Sequence, residues 1–123
     1  MNSVVHFEIP AKDRARAKKF YQTVFDWQMM DFDEKNTMVS TTDSDENGLP
    51  RSPGAINGSI YLPDKPKTPT IVIDVADIKA HIEKVKSNGG KLVDDIVEIP
   101  GMGMYARFTD PEGNLMGLWQ TLS

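Results

Sequence analysis

His6 and Glu8 stand two residues apart in Val4-Val5-His6-Phe7-Glu8-Ile9-Pro10, a stretch that alternates apolar and polar residues. In an extended strand this spacing puts an imidazole and a carboxylate on one face, with Val5, Phe7 and Ile9 on the other. Such a pair can line a cavity, or it can sit on a wet sheet surface or meet a partner subunit. A second group lies near the C-terminus. On a strand from Met104 to Thr109, Tyr105, Arg107 and Thr109 share one face, and the Arg107 fork can clamp a carboxylate or phosphate or else snorkel to the surface. Trp119 has the parity of Leu115 and Gly117, and so reads as an apolar cavity wall or as a packed core residue. No Ser-His-Asp order, phosphate loop or nucleotide fingerprint is present. With no cysteine, there is no disulfide framework, thiolate metal site or thiol nucleophile.

The elements that must position these residues follow from periodicity. After the first strand, Asp13 is an N-cap for a helix with Ala17, Phe20, Tyr21, Val24 and Phe25 at helical spacing inward and Arg14, Arg16, Lys18 and Lys19 outward. Trp27 to Phe32 and Thr37 to Thr41 read as two short strands joined by a polar turn, and Ala55 to Leu62 as another. Between them, Asp43 to Gly54 collects turn formers without periodicity and reads as a flexible surface loop that orders over a site. Pro63, Pro66 and Pro69 mark a semi-rigid linker.

The pattern then restarts. Thr70 to Val75 is a strand, Asp77 caps a helix with Ile78, Ile82 and Val85 inward, and Asn88-Gly89-Gly90 stops it. A strand over Lys91 to Ile99, the break Pro100-Gly101-Met102-Gly103, the Met104 strand, the turn Asp110-Pro111-Glu112-Gly113-Asn114 and a last strand Leu115 to Gln120 follow. Aligning His6 with Thr70 also aligns Asp13 with Asp77, so both halves read strand, helix, strand, strand, strand, and an internal duplication is the simplest account. One domain is expected, with module one about 1–62, a linker about 63–69 and module two about 70–123.

Composition narrows the partners. A net charge of -4 over 123 residues, with no basic patch beyond the helix-spaced cations, argues against nucleic acid. No run of apolar residues approaches a membrane span, and the first strand begins without a basic region and long apolar core, so an unexported cytoplasmic protein is expected.

The order of these elements, the helix carrying Phe20-Tyr21, the Gly89-Gly90 stop and the Asp-Pro-Glu-Gly-Asn turn together resemble the vicinal oxygen chelate superfamily of glyoxalases, bleomycin-resistance proteins and extradiol dioxygenases, in particular small bacterial proteins related to lactoylglutathione lyase. The resemblance implies an α+β fold of paired βαβββ modules, with curved mixed sheets around a concave cavity, helices on the convex side, and commonly a divalent metal inside. It puts the first metal ligand at His6. The other ligand positions fall on Thr70, on Gly117 and on the Asn57-Gly58-Ser59 stretch, so a divalent metal is disfavoured although His6 remains its natural ligand here.

The function expected is small-molecule binding in that cavity, with His6, Glu8, Tyr105, Arg107 and Trp119 as the contacting residues and without the usual four-ligand site. Two alternatives stand beside it. One is a metal-dependent lyase, isomerase or dioxygenase with His6 as ligand and Glu8 as catalytic base; the other is a dimeric accessory module without catalysis. A homodimer is expected, since the resemblance implies one and two-fold dimers are the commonest assembly.

Overall fold

The computed structural model describes residues 1–63 and 68–122. The chain divides into two compact units, His6–Pro69 and Met1–Val5 with Thr70–Ser123. Residues 64–67 of the expected linker lie outside the described residues.

The first unit carries β1 (Val4–Pro10, whose first two residues belong to the other unit), α1 (Arg14–Phe25), β2 (Gln28–Asp31), β3 (Asn36–Ser40) and β4 (Asn57–Tyr61). Its sheet runs β2-β3-β4-β1, with β1 parallel to β4 and the other pairs antiparallel. In the β1–β4 register His6 faces Asn57, Phe7 faces Gly58 and Glu8 faces Ser59. Residues paired across strands share a face, so His6, Glu8, Asn57, Ser59 and Met38 lie on one side and Phe7, Ile9, Ile60, Thr37 and Val39 on the other. The second side takes the helix: Arg14 on α1 donates to Thr37 Oγ1 at 3.0 Å, and Ile60, Val39 and Thr37 are fully buried there.

The second unit repeats the plan. β5 (Thr70–Asp74) is followed by α2 (Ile78–Ser87), β6 (Lys91–Leu92), β7 (Val97–Ile99), β8 (Gly103–Thr109) and β9 (Leu115–Thr121). Here β5 is parallel to β9, β8 is antiparallel to β9, and β6 and β7 each pair antiparallel with β8. The first strand of each module therefore lies parallel to its last, and the α+β class of paired βαβββ modules is borne out. One expected strand, Lys91 to Ile99, is instead two: the Val93 N–H still bonds the Arg107 carbonyl at 2.9 Å, but residues 94–96 leave the ladder between β6 and β7, with Asp94 reaching across to Arg107.

Local chemistry accounts for the element ends. Asp13 and Asp77, both extended, accept hydrogen bonds from the N–H groups of Arg16 and Ala80 at 3.0 and 3.1 Å, and so cap α1 and α2. The turn into β9 closes as its residue types require. Gly113 takes φ 82°, and Asp110 Oδ1 accepts from the N–H groups of Glu112 and Asn114, each at 2.9 Å. A hydrogen bond from the Asn114 side chain, with these two, holds the Asp110 carboxyl below the usual carboxylate range.

Two sequence expectations change. Phe20, Val24 and Phe25 were to face inward from α1, yet each is more than half exposed, and α1 contains no buried residue. Arg14 and Lys18 were to face outward, yet they turn to the sheet: Arg14 bonds Thr37 and the Asp33 and Glu34 carbonyls, and Lys18 pairs with Asp31 at 3.0 Å. The cause is the acidic turn between β2 and β3, whose carboxylates and open carbonyls attract cations to the side of the helix that periodicity assigned to solvent. The 43–54 loop is also built rather than loose. Ser44 bridges Pro50, Asp45 Oδ1 accepts from the N–H groups of Asn47 and Leu49, and the loop root is held by Asn57.

Candidate functional site

In the first unit, the helix-free face of the sheet places His6 beside Ser59, with the imidazole Nε2 3.3 Å from the Ser59 hydroxyl. Ser59 is 5% exposed and Asn57 9%, so this face is sheltered although no helix covers it. Burial pushes the His6 pKa down from 6.5 to about 4, because an imidazolium loses its hydration there. His6 is therefore neutral near pH 7, able to accept or donate one hydrogen bond at each nitrogen. Glu8, half-buried, follows on the same face opposite Ser59.

Asn57 is engaged elsewhere. Its Oδ1 accepts from the Thr41 N–H at 2.9 Å, and its Nδ2 donates to Ser44 Oγ at 2.8 Å and to the Gly48 carbonyl at 3.0 Å. It ties the long β3–β4 connection to the edge of the His6 face. Sequence reading weighed Asn57 and Ser59 only as missing metal ligands. The parallel register of β1 on β4 turns one of them into an anchor and the other into the partner of His6, and that register is invisible until β1 and β4 are paired.

In the second unit, Tyr105, Arg107 and Trp119 share the face opposite α2. Tyr105 pairs with Trp119 and Arg107 with Gly117 in the β8–β9 register. The Tyr105 ring leans over Gly117, where a Cβ would meet its Cε1 at 3.0 Å, and the Trp119 indole leans over Gly103, where a Cβ would meet its Cζ2 at 2.4 Å. Trp119 Nε1 donates to Thr121 Oγ1 at 3.0 Å. Arg107 gives Nε and Nη2 to a single Asp94 oxygen at 2.7 and 2.5 Å, a partner that sequence reading did not anticipate because it sits in the break between β6 and β7. Gln120 points the other way, as its parity requires: its Oε1 accepts the Ile78 N–H at 2.8 Å and helps start α2.

An open groove of about 630 Å³ lies on the α1 side of the first unit, lined by Lys12, Arg16, Ala17, Phe20 and Pro63 among others. None of the sequence-predicted site residues borders it.

The architecture has relatives. Residues 3–118 match the profile of the Glyoxalase/Bleomycin resistance protein/Dioxygenase superfamily. The chain belongs to that superfamily. A glyoxylase-like domain-containing protein of Didymella fabae is 34% identical over 113 residues, covering 87% of this chain and 84% of its own. The CFP32 protein of Mycobacterium bovis, named provisionally as a glyoxylase, is 29% identical over 119 residues, which span 92% of this chain and 43% of that protein. The chain thus corresponds to less than half of the mycobacterial relative. Among solved structures, methylmalonyl-CoA epimerase from Mycobacterium tuberculosis aligns with a TM-score of 0.63 at 16% identity, over 98% of this chain and 88% of the other. At that identity the likeness concerns the fold.

Glyoxalase-superfamily folds commonly hold a divalent metal, and the donor set here does not fit a four-ligand site. Of the positions concerned, only His6 offers a strong donor, and its Nε2 already meets Ser59. Asn57 already bonds Thr41, Ser44 and Gly48 through its amide, Gly117 has no side chain and lies under Tyr105, and Thr70 is 2% exposed. Among the described residues, no group of three or more His, Cys, Asp or Glu side chains could hold a metal ion.

Proposed function

We propose that this glyoxalase-superfamily chain binds a small organic molecule on its helix-free sheet faces and does so without the four-ligand metal site common in the fold. The observation that carries this reading is His6: a half-buried, neutral imidazole bonded to Ser59, with a carboxylate two residues along and a donor set too poor for a catalytic divalent ion. Neutral imidazole, hydroxyl and carboxylate suit hydrogen bonding to a polar group of a ligand. Tyr105, Trp119 and Arg107 supply the corresponding face in the second unit. The natural assembly in this reading is a two-fold homodimer in the cytoplasm.

The test is direct. Protein purified without added metal should carry well under one equivalent of zinc, nickel, iron or manganese per chain, and native mass spectrometry should find a small molecule whose occupancy falls in His6→Ala. About one metal per chain, lost on His6→Ala, would overturn the reading in favour of a metal-dependent lyase or isomerase with Glu8 as base.

A further inference from the structure

One flank of α1 is claimed neither by the sheet nor by the acidic turn. Arg14 and Lys18 reach toward the β2–β3 turn, whereas Ala17, Phe20 and Val24, three and four residues apart, fall on the other side of the helix. At the foot of that flank lies the open groove of about 630 Å³. It forms because β1 runs parallel to β4 with Pro10 opposite Tyr61, and Ala11 N–H bonds the Tyr61 carbonyl at 2.9 Å, so that the end of β1, the start of α1 and Pro63 converge. Pro10, Ala11, Ala17, Pro63 and the Phe20 ring make its walls apolar, and Lys12 and Arg16 are its cations. Both cations are exposed, and among the described residues neither has an acidic partner. The single acid on the lining, Asp13, gives Oδ1 to the Arg16 N–H at 3.0 Å as the cap of α1.

We propose that this groove binds a small organic anion with an aliphatic body, of which a medium-chain monocarboxylate is the simplest case. The site lies on the α1 side of the first unit's sheet, opposite His6, and does not depend on the reading given for the helix-free faces. Size is one argument, since the volume falls within the range of small-molecule sites. Shape and chemistry are another: the walls are aliphatic apart from one ring, so a flexible chain gains by leaving water along Ala17, Phe20 and the two prolines. Charge selects the head group. A carboxylate can take two bonds from the Arg16 fork while Lys12 acts as a point charge, whereas a cationic head would meet two like charges. The chain as a whole is acidic, with a net charge of -4, so two unmatched cations beside an apolar wall make a local complement to an anion and not a general one.

The probes are octanoate, octylammonium with the same chain and the opposite charge, and acetate with the same charge and no chain. Amide NMR titrations of the whole chain should show octanoate saturably shifting Ala11, Lys12, Arg16, Ala17 and Phe20 while His6 and Ser59 stay in place. Octanoate should bind at least about tenfold more tightly than octylammonium or acetate. Arg16→Glu and Lys12→Glu should each weaken it about five- to tenfold, and Phe20→Ala about three- to tenfold. All three side chains are exposed, so these variants should keep the native spectrum away from the groove, and Lys12→Arg should retain most of the affinity. Equal binding of octylammonium, unchanged binding to folded Arg16→Glu and Lys12→Glu, or no saturable shift at millimolar octanoate would each overturn the proposal. Octanoate shifting His6 and Ser59 instead would overturn it while supporting the helix-free face as the ligand site. Failure of octanoate together with sedimentation of the protein on phosphatidylglycerol vesicles, lost in Arg16→Glu and Phe20→Ala, would also overturn it, in favour of α1 lying on an anionic lipid surface.

Discussion

The two modules share a plan and differ in what attaches the helix to the sheet. In the second, α2 buries Ile78 and Ile82 against Ala106, Phe108 and Leu118, with Ile73, Val85 and Met104 packed around them. In the first, α1 buries nothing completely. It is held by Arg14 and Lys18 reaching the β2–β3 turn, and by a run of rings in which Tyr21 stacks on Trp27 at 5.0 Å and Trp27 meets Phe7 at 5.7 Å. A duplicated topology has thus been stabilised by two different physical routes, dispersion and desolvation in one half, directed polar bonds and ring contacts in the other. The same strand pairing can therefore tolerate very different sequences, provided that each helix finds one of these attachments.

The widest gap between the modules should appear on truncation. Ile78→Ala removes a side chain with no exposed surface from the α2 core and should cost about 2–5 kcal/mol in urea unfolding. Phe20→Ala on α1 removes a larger side chain that is 53% exposed and meets the Tyr21 and Phe25 rings, and should cost under about 1 kcal/mol. Equal losses would mean that α1 has an apolar seat after all, and the contrast would fall.

The first module should also be the one that fails in mild acid. His6 has its pKa lowered by burial from 6.5 to about 4. Above about pH 7 the imidazole is neutral folded or unfolded and contributes no pH dependence. Between 6.5 and 4 the unfolded chain takes up a proton that the folded chain refuses, so stability falls as pH falls, by roughly 3 kcal/mol in all. Asp31, Asp33 and Asp110 have lowered values, and their contributions are lost only in stronger acid, below the ordinary 3.8. Of the shifts described, only that of His6 acts in the window above pH 4. Urea titrations from pH 7 to pH 4.5 should show this slope in the native chain and lose it in His6→Gln; an NMR titration giving His6 a pKa near 6.5 would refute it.

What could be read from the sequence divides along the same line. Strand parity placed His6 with Glu8, and Tyr105 and Arg107 on one face, because a period of two is insensitive to partners. The α2 seat was legible too, since Ile78, Ile82 and Val85 have no polar competitor at their positions. The α1 seat was not: its spacing supports Phe20, Val24 and Phe25 inward, and only the position of the Asp31 to Asn36 turn decides that Arg14 and Lys18 win. Ser59 beside His6, Asn57 at the loop root and Asp94 on Arg107 were hidden for a related reason. Each depends on a partner 13 or more residues away, whose register no local pattern encodes.

The smallest expected effect separates the two cations that hold α1. Arg14 is 21% exposed and donates to neutral oxygens, the Thr37 hydroxyl and the Asp33 and Glu34 carbonyls, with an Asp31 oxygen only at 4.0 Å. Lys18 pairs with the Asp31 carboxylate at 3.0 Å, where Asp31 is 59% exposed. Bonds from a charged donor to fixed neutral acceptors depend little on screening, whereas an exposed ion pair loses most of its attraction once the Debye length falls to a few ångströms. Arg14→Ala should therefore cost about 1–2 kcal/mol at low and at high salt. Lys18→Ala should cost a few tenths of a kcal/mol, vanishing near 1 M salt. Arg14→Lys should recover little, because an ammonium cannot span the hydroxyl and two carbonyls that the planar fork reaches. If Arg14→Ala lost its effect in high salt, the attachment of α1 would be a general attraction between a basic helix and an acidic turn, and the contrast between the modules would be one of charge rather than of directed hydrogen bonds.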